Sequence, residues 1–346
     1  MNFTERLEAF WAGEKPDRIP YTIYQNEWKD YPGDSAWQSL YDEGLIVTWH
    51  TPSVGNVTRD VEYGNKSYVE DGKHYIRKTI TTPVGEICSI DAEGWCQKHW
   101  LETEEDYRVM TYVAKHTDHV PLYEEFIARQ KAIAPSGVPL VELGRSPMQV
   151  ILVDYVGLEN FAYHLVDFED ELMELYEALM ANYRKKALMV AEGPGRFVSA
   201  LENFTAETMG PVRFEKYHMP VYRELYPMIQ SSGKIIGTHY DGKLQSCSRQ
   251  IAQAPMDLIE SLTEPPEGDM MMEECRKIWP DKLFWCNINV SAYNLPEKEL
   301  QERVERLARQ GSVSGSKFAF EVSEHIPKNW RTSMPIVLRT LNELSL

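Results

Sequence analysis

From residue 139 onward the sequence alternates short apolar runs with helical patterns, and that rhythm leaves few folds open. Runs at 139–143, 196–201, 234–239, 257–262, 283–288 and 318–322 have strand length. Helical periods fill 168–191, 211–231, 244–254, 273–279 and 296–310 between them. In the longest of these, Leu172, Leu175, Leu179 and Tyr183 share one face, with acidic residues early and Arg184-Lys185-Lys186 late, as the helix dipole favours. Strands separated by helices pair in parallel, because a tight turn cannot return a parallel neighbour. Two further runs, 19–24 and 45–49, bring the strand candidates to eight, which predicts a closed (β/α)8 TIM barrel of the α/β class. An amphipathic helical segment over 1–13 precedes it. The stretch 57–90 breaks the rhythm: alternating β-rich runs around an Asp71-Gly72 turn predict an inserted hairpin region. No Gly-, Pro- or Ser-rich linker divides the 346 residues, so one barrel domain over 1–346 is expected.

Charge and cysteine usage narrow the partners. With 53 acidic against 36 basic residues the net charge is −17, a surface that repels phosphate backbones, so no nucleic-acid partner is expected. No apolar stretch approaches the roughly 20 residues of a membrane-spanning helix, and residues 1–13 lack the basic-then-apolar order of an export signal. The five cysteines form no CxxC pair, which predicts free thiols in a cytoplasmic protein. Oligomeric state is not encoded in any readable pattern, and a homodimer stays open.

Chemistry gathers at the predicted strand ends. The strand 196–201 leads into Glu202-Asn203, 234–239 into His239-Tyr240-Asp241-Gly242, and 257–262 into Thr263-Glu264. The strand 283–288 exits through Asn287-Ile288-Asn289, and the last carries Glu321 before Ser323-Glu324-His325. A barrel places its active site at the C-terminal ends of its strands, so five polar exits in succession predict a catalytic mouth. His239 and Asp241, two apart at one exit, face the same way and are spaced to move a proton or hold a metal. Tyr240 is expected to contact a bound substrate through its hydroxyl. Tyr21, Tyr24, Trp28, Trp49, Phe204, Trp285 and Tyr293 lie near strand ends and suit a small aromatic or apolar substrate, against a simpler role in packing. Met270-Met271-Met272 suits either a soft docking surface or, the favoured reading, a helix start packed inward.

Glu5-Arg6 through Gly13-Glu14-Lys15-Pro16-Asp17-Arg18-Ile19-Pro20, residues 144–147 leading to Tyr155-Val156-Gly157, 214–220, 233–242, 257–260 and Asn287 carry a resemblance over nearly the whole length. The chain resembles the uroporphyrinogen decarboxylase superfamily, which includes corrinoid-dependent methyltransferases. The resemblance implies the same barrel with the active site in its mouth. True uroporphyrinogen decarboxylases carry an Arg-rich segment where this chain has Pro20-Tyr21-Thr22-Ile23-Tyr24-Gln25-Asn26-Glu27, without an arginine to grip propionates, so porphyrinogen decarboxylation is not expected. The thiol-methylating branch holds zinc on His-x-Cys and a distant Cys. Here the pair reads His239-x-Asp241, no cysteine follows Cys286, and a late ligand would be Glu321 or Glu324.

With Glu202-Asn203 ahead of a Tyr-x-x-Pro helix and then His-x-Asp-Gly, the sequence is more similar to the methyltransferase component of O-demethylases. That likeness implies an enzyme moving a methyl group from a methyl ether, a methoxyaromatic, to the cobalt(I) of a separate corrinoid protein, since the chain has no cobalamin signature of its own. It also implies a possible zinc: counting back from His239, the family's Glu-x14-Glu-x20-His ligands fall on His218 and Asn203, with Glu202 one residue off. The implied metal set is His239, Glu202, His218 and Glu321. Catalysis is expected from His239, Asp241 and Tyr240, and substrate contacts from Tyr24, Asn203, Asn287 and Trp285. A phenoxide leaves near pKa 10 and needs a proton or a Lewis acid on the ether oxygen. Two alternatives remain: transfer from a methylcobamide to a thiol or other acceptor, and a decarboxylase-like barrel without methyltransferase activity.

Overall fold

The computed structural model describes residues 1–24, 34–135, 137–322 and 326–345. They gather into two compact units, one of residues 1–53, 122–144 and 190–346 and the other of 54–121 and 145–189.

With strands numbered along the chain, the first unit is a closed barrel of eight parallel strands: β1 (Tyr21–Tyr24), β2 (Leu45–Thr51), β9 (Gly137–Glu142), β10 (Phe197–Ala200), β11 (Ile235–His239), β12 (Leu258–Leu262), β13 (Leu283–Ile288) and β14 (Phe318–Val322), with β14 bonded back to β1. Each predicted run lies within two residues of its strand at either end. The runs read as apolar rather than alternating because parallel barrel strands are covered on both faces.

The helix Phe3–Trp11 opens with a reciprocal cap between Asn2 and Glu5 and buries Leu7, Phe10 and Trp11. Trp11 stacks on Phe197 with centroids 5.1 Å apart and meets the edge of Trp285 at 6.3 Å. These residues form one apolar cluster with Ile46, Leu140, Leu258 and Leu283 at the start of the strands. Arg6 anchors the helix to Asp17 through two hydrogen bonds of 2.8 and 3.0 Å. The nearly buried Lys282 ammonium donates to the Ala254 and Met256 carbonyls at 2.8 and 3.0 Å, tying the N-terminal ends of β12 and β13, and burial lowers its pKa to about 8.

The helix expected over 211–231 is less regular than its periodicity predicts. It begins at Ala206, breaks at Gly210 where φ is +67°, passes through a π turn at Phe214–His218, and resumes as Met219–Ser231. Gly210 and the Pro211 that follows it account for the break. Of the three methionines, Met270 and Met272 are buried and Met271 is exposed.

The second unit holds an antiparallel sheet in the order β4 (Glu62–Glu70), β5 (Lys73–Thr82), β6 (Gly85–Ala92), β7 (Trp95–Lys98), and a ribbon of β3 (Val54–Thr58) with β8 (Thr117–Pro121). The predicted hairpins are there, but the run 57–63 is divided, because Asp60 turns the chain with a φ of +55°. The helices Glu104–Lys115, Pro147–Val150 and Leu158–Asp167, the π turn Ile151–Val156 and most of the helix Glu169–Glu192 also belong to this unit. A buried bond of 2.9 Å between the Tyr107 hydroxyl and His164 Nδ1 joins two of them. Among the described residues no helix is long and apolar enough to cross a membrane, and Cys88, Cys96, Cys247, Cys275 and Cys286 are free thiols.

Candidate active site

Register decides which side chains share a level near the top of the barrel. His239 on β11 lies beside Glu260 on β12, and Glu321 on β14 lies beside both Asn287 and Thr22. His239 is 3% exposed. Its Nδ1 stands 3.3 Å from the Ser261 hydroxyl and 3.4 Å from the Tyr24 hydroxyl, and its Nε2 stands 3.6 Å from Asp241 Oδ2. Glu260 is fully buried; it accepts from Ser199 at 2.8 Å and from Tyr24 at 3.4 Å, and its Oε2 is 4.0 Å from His239 Nδ1. His50 at the end of β2 stands 4.0 Å from Glu260 Oε1, with its ring centroid 4.9 Å from that of Tyr24.

Local backbone puts two of these groups in place. The β12–β13 register shifts between Glu260 and Leu262, and Ser261 sits at a φ of +60°. A bulge re-aims a side chain, and here the Ser261 hydroxyl meets His239. Asn203 sits at a φ of +48° and donates from Nδ2 to Asp241 Oδ2 at 3.0 Å.

Burial and charge then set protonation. Burial raises Glu321 well above the ordinary carboxyl range and the Glu260 charge adds to it, against the Tyr24 and Thr22 hydroxyls, so Glu321 is held toward its neutral form. Burial also raises Tyr24, with Glu260 next, which keeps it a phenol. Burial lowers His50, against the pull of Glu260. For Asp241 burial pushes upward but is outweighed by His239 and Asn203, which together hold it below the usual carboxylate value.

Glu202 and His218 are buried together around Tyr222. The Tyr222 hydroxyl donates to Glu202 at 3.0 Å and lies 3.3 Å from His218 Nδ1. Burial lowers His218 to about 3, which keeps it neutral. Tyr240, expected at the substrate, is fully buried and donates its hydroxyl to Tyr222 at 3.1 Å, packed against Phe204 and Phe214. Of the four expected metal ligands, Glu202 and His218 meet at Tyr222, while His239 and Glu321 both lie at Tyr24. Among the described residues no three His, Cys, Asp or Glu side chains are placed around one point to hold a metal ion. The described residues by themselves do not assemble a zinc site.

Trp285 is also fully buried; it donates to Thr22 Oγ1 at 2.9 Å and packs on Phe10 and Phe197, inside the barrel core. Tyr21 and Tyr293 bond to each other through their hydroxyls at 2.8 Å. Trp28, Ser323, Glu324 and His325 lie outside the described residues. Beyond Asp241, where β11, β12 and β13 end, a cavity of about 190 Å³ is lined by Asp241, Thr263, Glu267, Asn287 and Asn289, with no aromatic side chain among the described residues of its wall.

No protein-family model matches the sequence, and no curated protein does. Among solved structures, a methyltransferase from Methanosarcina mazei superposes with a TM-score of 0.59 at 10% identity, covering 99% of each chain. The shared feature is the barrel. A B12-independent methionine synthase from Shewanella sp. W3-18-1 overlaps 89% of this chain and 84% of its own at 11% identity, but its TM-score of 0.47 adds nothing to the assignment.

Sequence reading missed Glu260, Ser261 and His50. Polar residues were sought after the strands, whereas Glu260 stands inside one. A lone carboxylate in Leu258-Ile259-Glu260-Ser261-Leu262 was the available signal, because carboxylates are almost never buried without partners. His50 was missed because β2 runs two residues past its expected end.

Proposed function

We propose that the barrel mouth is the active site of a methyltransferase that takes a methyl group from a small methyl ether and passes it to the corrinoid of a separate protein. The observation that carries this reading is His239, buried at a strand exit, with Asp241 on its Nε2 side and Tyr24, Ser261 and Glu260 on its Nδ1 side. Likeness of fold to a methyltransferase, and the sequence resemblance to corrinoid-dependent enzymes, support it. The free cysteines suit a reducing compartment, and we place the enzyme in the cytoplasm.

The corrinoid supplies the cobalt(I) nucleophile that accepts the methyl. The chain's own task is the other half of the displacement. When the methyl–oxygen bond breaks, its electron pair stays on the oxygen, and a proton from His239 Nε2 neutralises it. A proton on this ring lies between the carboxylates of Asp241 and Glu260, and Tyr24 and Ser261 fix its orientation. Asn203 in turn fixes Asp241. Because the described residues do not assemble a zinc site, activation of the leaving oxygen is assigned to this proton.

The test is an anaerobic screen in which reduced corrinoid protein and purified enzyme meet methyl ethers, methylamines and methyl thiols, with the demethylated product measured. Release of the alcohol or phenol from an ether is expected. Turnover of thiols alone, or of no donor, contradicts the reading.

A further inference from the structure

The sheet of the second unit ends in an open edge. Its order is β4-β5-β6-β7, so among the described residues no strand pairs with the outer side of β4, and the nine residues Glu62–Glu70 present a row of backbone groups there. Which groups face outward follows from the turn. Asp71 and Gly72, with φ of +48° and +75°, make a two-residue hairpin in which Glu70 and Lys73 stand opposite and exchange the closing hydrogen bonds. The amides and carbonyls of Glu70, Tyr68 and Lys66 therefore turn toward β5, and those of Val69, Ser67 and Asn65 turn outward. Tyr63 and Val69 on this strand are 61% and 60% exposed.

The side chains of this edge match a second copy of it. An antiparallel neighbour sets outward groups against outward groups, so odd-numbered residues of one copy face odd-numbered residues of the other, and even face even. Full overlap of the strand sets Glu62 against Glu70 and Lys66 against Lys66, and like charges directly opposite are unfavourable. Two shorter registers bring opposite charges together. One pairs Glu62 with Lys66 and centres on Gly64, which has no side chain to pack. The other pairs Lys66 with Glu70 on both sides of the axis and centres on Tyr68. In that register the row that crosses the sheet through Tyr68, Tyr75, Ala92 and Trp95 runs on into its own copy. Tyr68 already stacks on Tyr75 with centroids 5.2 Å apart, and each Glu70 comes to stand between Lys73 of its own chain and Lys66 of the other.

We propose that the chain forms a two-fold symmetric dimer in which β4 of one copy pairs antiparallel with β4 of the other, Lys66 against Glu70 and Tyr68 against Tyr68, joining two four-stranded sheets into one. Two chains of net charge −17 repel each other at large, so self-association needs a local match, and β4 supplies one. Backbone pairing along the edge gives the affinity. The Glu62, Lys66 and Glu70 spacing gives the register, since the same three charges oppose full overlap.

The test is sedimentation velocity of the full chain over a concentration series, with melting curves confirming the fold of each variant. The wild-type chain is expected to approach twice its monomer mass as concentration rises. Lys66→Glu sets like charges together on both sides of the axis and is expected to raise the dimer dissociation constant at least about tenfold. Lys66→Glu combined with Glu70→Lys exchanges the two charges, so dimerisation is expected to return, a rescue that a strand kept apart by its charges does not show. Register is read by cross-linking in a chain whose two less buried thiols are removed by Cys88→Ser and Cys96→Ser. There Tyr68→Cys faces its own copy and is expected to form a disulfide-linked dimer under mild oxidation, whereas Lys66→Cys is not. A chain that stays monomeric throughout, a dimer indifferent to Lys66→Glu, a folded double variant that does not dimerise, or linkage through position 66 in place of 68 overturns the proposal.

Discussion

Asn203 takes a left-handed φ of +48° and from it donates to Asp241 at 3.0 Å. Glycine tolerates the same backbone but has no amide to offer. Asn203→Gly is therefore expected to change stability by no more than about 1 kcal/mol while lowering turnover, a split read by melting curves against initial rates. His218 carries a second residue-scale prediction. Burial lowers its pKa from 6.5 to about 3, so between those values the unfolded chain binds a proton that the fold does not. Its contribution to stability is present above pH 6.5 and is lost as pH falls toward 3, at up to about 1.4 kcal/mol per pH unit. His218→Gln is expected to flatten the acid limb of a denaturation series; an unchanged limb contradicts a buried neutral His218. At this scale the sequence made His239 and Asp241 legible because their exit followed an apolar run. Tyr24 was legible as a site residue, though expected at the substrate, whereas Ser199 and Glu260 were hidden, since they reach the site from two other strands and no spacing along the chain encodes that meeting.

The eight barrel strands were legible because both of their faces are covered, which makes each an apolar run with helical periods on either side. Irregular elements were not. One extra residue in the π turn at Phe214–His218 barely disturbs an apolar period, and the shift at Ser261 leaves the composition of β12 unchanged. The N-terminal helix was read as amphipathic, and its three large buried side chains show what that face covers. Trp11 stacks on Phe197 and meets Trp285, so Trp11→Ala removes a ring from the floor of the barrel. A loss of about 3–5 kcal/mol is expected in chemical denaturation, and a loss under 1 kcal/mol, within roughly the range of ordinary surface changes, contradicts that role. Asn2→Ala, which removes only the helix cap, is expected to cost about 1 kcal/mol.

At the scale of the whole molecule, a chain of net charge −17 carries its chemistry at one end of a parallel barrel, where a histidine is enclosed by carboxylates and hydroxyls. The insertion was legible as β-rich hairpins but not in extent. Its sheet takes residues well past 90, and its unit also includes 145–189, a grouping set by contacts between segments far apart in sequence. The account stands on His239 as the proton donor to the leaving oxygen. The most direct test is the single-turnover rate of methyl–cobalt formation from a methyl ether, followed by absorbance, for the wild-type chain and His239→Ala of equal melting temperature. A fall of about 10²–10⁴-fold in the variant is the predicted result, and a rate close to wild type contradicts the account.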